Sequence, residues 1–104
     1  MPRGISFTTI TVLHAVASGS GYGFDVIDST GLPSGTVYPA LGRLERDGLV
    51  RSHWEEAAVA RDEKRPPRRY YRVTAHGLRV LQTEVARYRS LAPLPAPASS
   101  KGRG

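Results

Sequence analysis

Ser34-Gly35-Thr36-Val37-Tyr38-Pro39-Ala40-Leu41-Gly42-Arg43-Leu44-Glu45-Arg46-Asp47-Gly48-Leu49-Val50 is the stretch on which the fold turns. Val37, Leu41 and Leu44 recur at the three- and four-residue spacing that makes one helical face. Ser34 is a good N-cap, and Gly48 supplies the left-handed residue after the last turn. Pro39 has no amide to bond the Gly35 carbonyl, so it is expected to bend or open the amino-terminal turns, with Gly35 absorbing the strain. Directly after this helix the period falls to two. Val50, Ser52 and Trp54 alternate with Arg51, His53 and Glu55 between Leu49 and Glu56, which predicts a strand.

Working outward, Ile10, Leu13, Val16 and Ala17 predict a first helix from about Ser6 to Ala17, ended by Gly19 and Gly21. Tyr22, Phe24, Val26 and Ile27 predict a short second helix, closed by Gly31 and Pro33. Downstream, Arg69 to Val73 is the partner of the first strand, and Ala57 to Pro67 reads as an extended polar loop between them. Thr74 is an N-cap for a fourth helix whose apolar residues Leu78, Leu81, Val85 and Tyr88 form a narrow seam. After Leu91 the chain turns to Pro93, Pro95, Pro97, Ser and Gly, a composition that cannot bury enough surface to order itself. The expected architecture is an α+β winged helix-turn-helix: residues 1–73 form the three helices and a two-stranded wing, 74–91 a C-terminal helix, and 92–104 a disordered tail. Three helices followed by a two-stranded ribbon is the order in which a third helix enters the DNA major groove.

Length and charge narrow the function. A chain of 104 residues with a loose tail is one domain, small enough for oligomerisation to be a further source of stability. The formal net charge is +6, and it is local. Arg61, Lys64, Arg65, Arg68, Arg69 and Arg72 stand against Asp62 and Glu63, Lys101 and Arg103 sit in the tail, and the remaining residues balance. A concentrated positive field suits a phosphate-bearing partner, and the alternative is a solvated loop. There are no cysteines, which excludes disulfides, thiolate metal sites and cysteine nucleophiles. No apolar run is long enough for a membrane helix and no leader segment is visible, so a cytoplasmic protein is expected. His14, His53 and His76 lie on different elements without metal-ligand spacing. Glu55-Glu56 and Asp62-Glu63 are adjacent pairs that split their carboxylates between faces, and no phosphate-loop or dinucleotide pattern occurs. Neither an enzyme nor a cofactor is expected.

Several motifs in order then resemble the PadR-like family of winged-helix regulators. Gly21-Tyr22-Gly23-Phe24-Asp25-Val26-Ile27 resembles that family's second-helix start, and Ser34 to Leu44 its recognition helix. Glu45-Arg46-Asp47-Gly48-Leu49-Val50 and Trp54-Glu55 continue the likeness, and Arg65-Pro66 with Arg68-Arg69-Tyr70-Tyr71-Arg72-Val73-Thr74 resembles the wing and second strand, with Gly77 in its usual place. The resemblance runs from Thr9 to Leu91, in the short-tailed form. Ser20 stands where the family often has histidine, and Pro67 is an additional proline in the wing.

The resemblance implies a transcriptional repressor that binds double-stranded DNA at an inverted-repeat operator as a homodimer and is relieved by a small aromatic effector. It implies DNA contacts from Tyr22, Ser34, Gly35, Thr36, Tyr38, Arg43, Lys64, Arg65, Arg68 and Arg69, and a dimer seam along Leu78, Leu81, Val85 and Tyr88. Physically, Ser34, Gly35 and Thr36 present donors at a helix amino terminus, where a phosphate oxygen is favoured. Capping by Ser34 and Thr36 and packing by Tyr38 are the alternatives, and for Arg43 and Arg46 a solvated helix face competes with base or backbone contact. Tyr70 and Tyr71 point to opposite faces of their strand, one to the core and one to the surface. Trp54 is read as packing in preference to a ligand platform. A protein-protein adaptor and a nonspecific nucleic-acid binder remain the competing functions.

Overall fold

A computed structural model describes residues 5–91, and the expected disordered tail at 92–104 lies outside them. The order is α1 (Phe7–Ala17), α2 (Gly23–Thr30), α3 (Ser34–Arg46), β1 (Val50–Trp54), α4 (Ala57–Asp62), β2 (Arg69–Val73) and α5 (Ala75–Leu91). This is a mixed α and β winged helix, with one helix more than the sequence pattern predicts.

Each boundary has a local cause. The Ser6 hydroxyl accepts from the Thr9 amide at 3.1 Å and starts α1. Asp25, on the first turn of α2, accepts from the Gly21 amide at 3.0 Å, which fixes the approach of the chain to that helix. Gly31 closes α2 at φ 73°, and Gly48 follows α3 at φ 76°. The Thr74 hydroxyl accepts from the Gly77 amide at 2.9 Å and caps α5. The predicted cap at Ser34 is displaced by one residue: Pro33 is the N-cap and Ser34 the first helical residue, because the Pro33 carbonyl already accepts from Thr36 and Val37 at 2.9 and 3.0 Å. Pro39 lies inside α3 without interrupting it.

The core is assembled where α1, α2, α3 and α5 meet the root of the sheet. Val12, Leu13, Val26, Val37, Leu41, Leu44 and Val50 are fully buried. β1 and β2 pair antiparallel from Val50 against Val73 to Trp54 against Arg69. The far edge of β2 is covered in part by the chain before α2, where the Tyr71 amide donates to the Gly21 carbonyl at 2.8 Å and Tyr22 bridges Tyr70. Tyr71 packs on the core, as one of the two tyrosines was expected to. Tyr70, on the other face, is half-buried between Tyr22 and His53.

The expectation of an extended loop over Ala57 to Pro67 is corrected. Residues 57–62 form α4, with Ala60 buried. Three alanines in four positions favour a helix. Its end is a Schellman turn, in which Lys64 takes φ 57° and the Arg65 amide donates to the Ala60 carbonyl at 3.1 Å. The wing is therefore a compact helical excursion that folds back on its own strands.

Candidate nucleic-acid interface

α3 presents an outward ridge opposite its buried face. With Val37, Ala40, Leu41 and Leu44 inside, a turn of about 100° per residue sets Gly35, Pro39, Gly42 and Arg46 on the far side. All four are exposed. A Cβ built at Gly35 or Gly42 meets no atom within 4 Å, whereas one at Gly77 strikes the Leu49 carbonyl and one at Gly23 strikes the Tyr38 ring. Gly35 and Gly42 also lack a positive φ. Among the described residues nothing requires glycine at either position, although Gly42 weakens the helix interior by about 1 kcal/mol relative to alanine and Gly35, in the first turn, by less. A bare ridge permits another molecule to approach the backbone closely.

Both flanks of the ridge carry polar groups. Thr36 and Arg43 lie on one side. Arg43 donates to the Thr9 hydroxyl of α1 at 3.3 Å and is otherwise exposed. Tyr38 lies on the wing side, its ring seated over Gly23 and 45% exposed. At the amino end, the amides of Ser34 and Gly35 precede the first intrahelical bonds and stay open to an anion.

The wing's cations separate into two groups. Arg65 makes a fork to Glu55, with Nη1 to Oε1 at 2.6 Å and Nη2 to Oε2 at 2.9 Å, and the Arg68 amide donates to the same carboxylate at 3.2 Å. The hydrogen bond from Arg65 holds the Glu55 carboxyl down at about 2 against the opposing effect of its burial, and the same bond raises Arg65. Arg69 donates through Nε to Ser52 at 2.9 Å and through Nη2 to Glu45 of α3 at 3.3 Å, tying the wing to the helix. Arg65 and Arg69, both expected at phosphates, are thus each paired with a carboxylate of the same chain. Arg61, Lys64 and Arg72 are exposed and form no ion pair among the described residues. Arg68 forms none either; its guanidinium lies 4.1 Å over the Tyr22 ring.

This arrangement has known counterparts. The transcriptional regulator PadR-like family profile matches residues 12–83. The chain belongs to the PadR-like family. Among solved structures it is similar to a PadR family transcriptional regulator from Eggerthella lenta DSM 2243, at 32% identity and TM-score 0.67 over 80% of this chain and 72% of that one. It is also similar to a PadR-like transcription factor from Bacteroides fragilis, at 27% identity and TM-score 0.69 over 80% and 81%. More distantly, BpsR of Bordetella bronchiseptica, whose DNA binding is regulated by 6-hydroxynicotinic acid, shares the fold at 18% identity and TM-score 0.69 over 84% and 58%. No curated protein matches the chain.

Other expected site residues of this PadR-like chain fall in several places. Tyr22, Tyr38 and Arg68 come together beside the wing. Leu81 is buried in the protomer's own core, Val85 and Tyr88 pack partly against it, and Leu78 is 42% exposed. Phe7 of α1, exposed itself, meets Tyr88 edge-on at 5.5 Å between ring centres. Trp54 corrects the packing reading, since it is 62% exposed beneath Arg69. Sequence reasoning missed the ridge residues Pro39 and Gly42, although the recurrence of 35, 39, 42 and 46 was there to be read. It also missed Phe24, which carries no periodic signal distinct from its own helix.

Proposed function

We propose that this PadR-like regulator binds an inverted-repeat DNA operator as a homodimer and represses transcription in the cytoplasm. The observation that carries the reading is the bare outward ridge of α3, where two glycines without an internal reason let the helix backbone sit close to base edges. Thr36, Tyr38 and Arg43 flank that ridge and fix register, with the open amides of Ser34 and Gly35 toward phosphate. Arg61, Lys64 and Arg68 supply the sequence-independent attraction of the wing. Dimerisation uses the face of α5 that carries Leu78, together with Tyr88 near the end of α5 and Phe7 at the start of α1. Regulation by a small aromatic effector completes the reading, in line with the regulation that BpsR shows.

Titration of selected and random duplexes at rising salt tests it. A regulator of this kind prefers the selected duplex at every salt concentration, by roughly a thousandfold or more. Equal affinities point to a nonspecific binder, and no affinity for either points to an adaptor.

A further inference from the structure

At the root of the wing lies a second basic surface that the reading above does not use. Arg51 of β1 and Arg72 of β2 stand directly opposite each other in the ladder, and both are exposed. Like charges at opposed positions destabilise a strand pair. Elsewhere the chain answers its cations with its own carboxylates, Arg65 with Glu55, Arg69 with Glu45 and Arg87 with Glu84, but among the described residues neither Arg51 nor Arg72 has an ion pair. His76 and Arg79, one turn apart on α5, continue the positive surface, and the first turn of that helix carries no acidic residue.

This surface is turned away from α3. Ser52 and Arg69 both bond Glu45 of that helix, so their side of the sheet looks toward it, and Arg51 and Arg72 alternate to the other side. Two hollows meet at Arg51. One, of about 570 Å³, follows β1 from Glu45 past Ser52 to His76, and the other, of about 300 Å³, lies between Arg51, Arg72 and Ala75. The free edge of the sheet runs along the first. The Thr74 amide donates to the Leu49 carbonyl and the Glu55 amide to the Arg68 carbonyl, a phase that turns the Arg51 and His53 backbone toward β2 and that of Ser52 outward. The opposite edge is already taken by Gly21 and Tyr22.

We infer that this face docks an extended acidic segment of another protein, which lies along β1, bonds the Ser52 backbone and sets alternate carboxylates on Arg51 and Arg72. The unanswered arginine pair selects an anion. The edge selects a polypeptide, because an added strand both donates and accepts and puts every second side chain on one face, whereas a DNA backbone has no donor for the Ser52 carbonyl. One further step rests on the operator reading above: DNA on the ridge of α3 and a segment on the far side of the sheet do not compete, so the chain holds both at once.

The probe is a capped decapeptide of alternating glutamate and serine, with alternating glutamine and serine as its neutral analogue, each titrated into the full chain and followed by backbone amide resonances. The acidic peptide should shift the amides of Arg51, Ser52 and Arg72, and the neutral one should not. Arg51→Gln with Arg72→Gln should weaken the acidic peptide roughly tenfold, since two exposed ion pairs are lost. The same double variant should keep its affinity for selected duplex and melt no lower than the parent, because only a repulsion is removed. Arg61→Ala with Lys64→Ala should leave peptide affinity unchanged. No binding, equal binding of the neutral peptide, shifts confined to other elements, or indifference to the Arg51 and Arg72 substitutions overturns the docking surface. Loss of duplex affinity in the double variant overturns it in favour of a DNA contact, and a lower Tm overturns the premise that the pair has no internal partner. Displacement of the peptide by selected duplex overturns simultaneous binding. If the peptide results hold while no duplex binds at all, the operator reading fails and the docking surface stands.

Discussion

Replacing Gly42 with alanine should strengthen the protein and weaken its hold on DNA. Gly42 is exposed on α3, has no positive φ, and has nothing within 4 Å of the position a Cβ would take. Relief of the glycine penalty should raise stability by about 1 kcal/mol. For a domain of this size that corresponds to an increase in Tm of roughly 4–8 °C. If the ridge lies against DNA, the same methyl enters a close-packed contact, where overpacking costs about 1–3 kcal/mol. Affinity for selected DNA should then fall by roughly 5- to 150-fold. Gly35→Ala should behave similarly, with a smaller gain in stability because it sits in the first turn. Thermal melting by circular dichroism and fluorescence anisotropy with labelled duplex measure the two effects on the same preparation. A higher Tm with unchanged DNA affinity would refute the placement of this ridge against the duplex. A lower Tm would refute the account of why glycine stands there.

Four other outcomes follow from the same geometry. Arg61→Ala with Lys64→Ala should flatten the dependence of log Kd on log salt by about 0.9 units per lost phosphate contact, whereas Arg65→Ala should leave the slope nearly intact and loosen the wing; equal slopes for both variants would contradict the internal pairing of Arg65. Glu55 has its folded value below the ordinary 4.5, so its contribution to stability is complete above about 4.5 and is lost as pH falls through about 2; melting curves of Glu55→Gln and the parent chain should differ near neutrality and converge in acid. Lys64→Gly relieves a left-handed residue at the end of α4, and net stability should rise by about 0.5 kcal/mol after the added freedom of the unfolded chain is set against it. Leu78→Asp should give folded monomers by sedimentation and circular dichroism, while Leu81→Asp should unfold the protomer because Leu81 is already inside it.

Much of the fold was legible in the sequence because its signals are local. The heptad-like spacing of Val37, Leu41 and Leu44, the left-handed glycines at 31 and 48 and the threonine cap at 74 each act within one turn, and the structure places them as the pattern predicts. β2 occupies Arg69 to Val73, the residues expected for the partner of the first strand. α4 was not legible: six residues give less than two turns, too short for a period, and its buried Ala60 depends on the chain folding back. That reversal brings Arg65 onto Glu55, ten residues earlier, so a count of wing cations alone overstates the charge open to a partner. Trp54 was misread for a related reason. Its strand alternation places it on the same face as Val50 and Ser52, but at the tip the sheet has run beyond the core, and Trp54 stays 62% exposed beneath Arg69.

Selection of bound duplexes from a random pool tests the central claim most directly. The account predicts enrichment of an inverted repeat whose half-sites lie about one helical turn apart, or a multiple of it, since two copies of α3 read successive major grooves. Enrichment should vanish in the Gly35→Ala, Gly42→Ala double variant, which keeps its fold. Recovery of a pool with no sequence common to its members, from protein that sediments as a folded dimer, would contradict it.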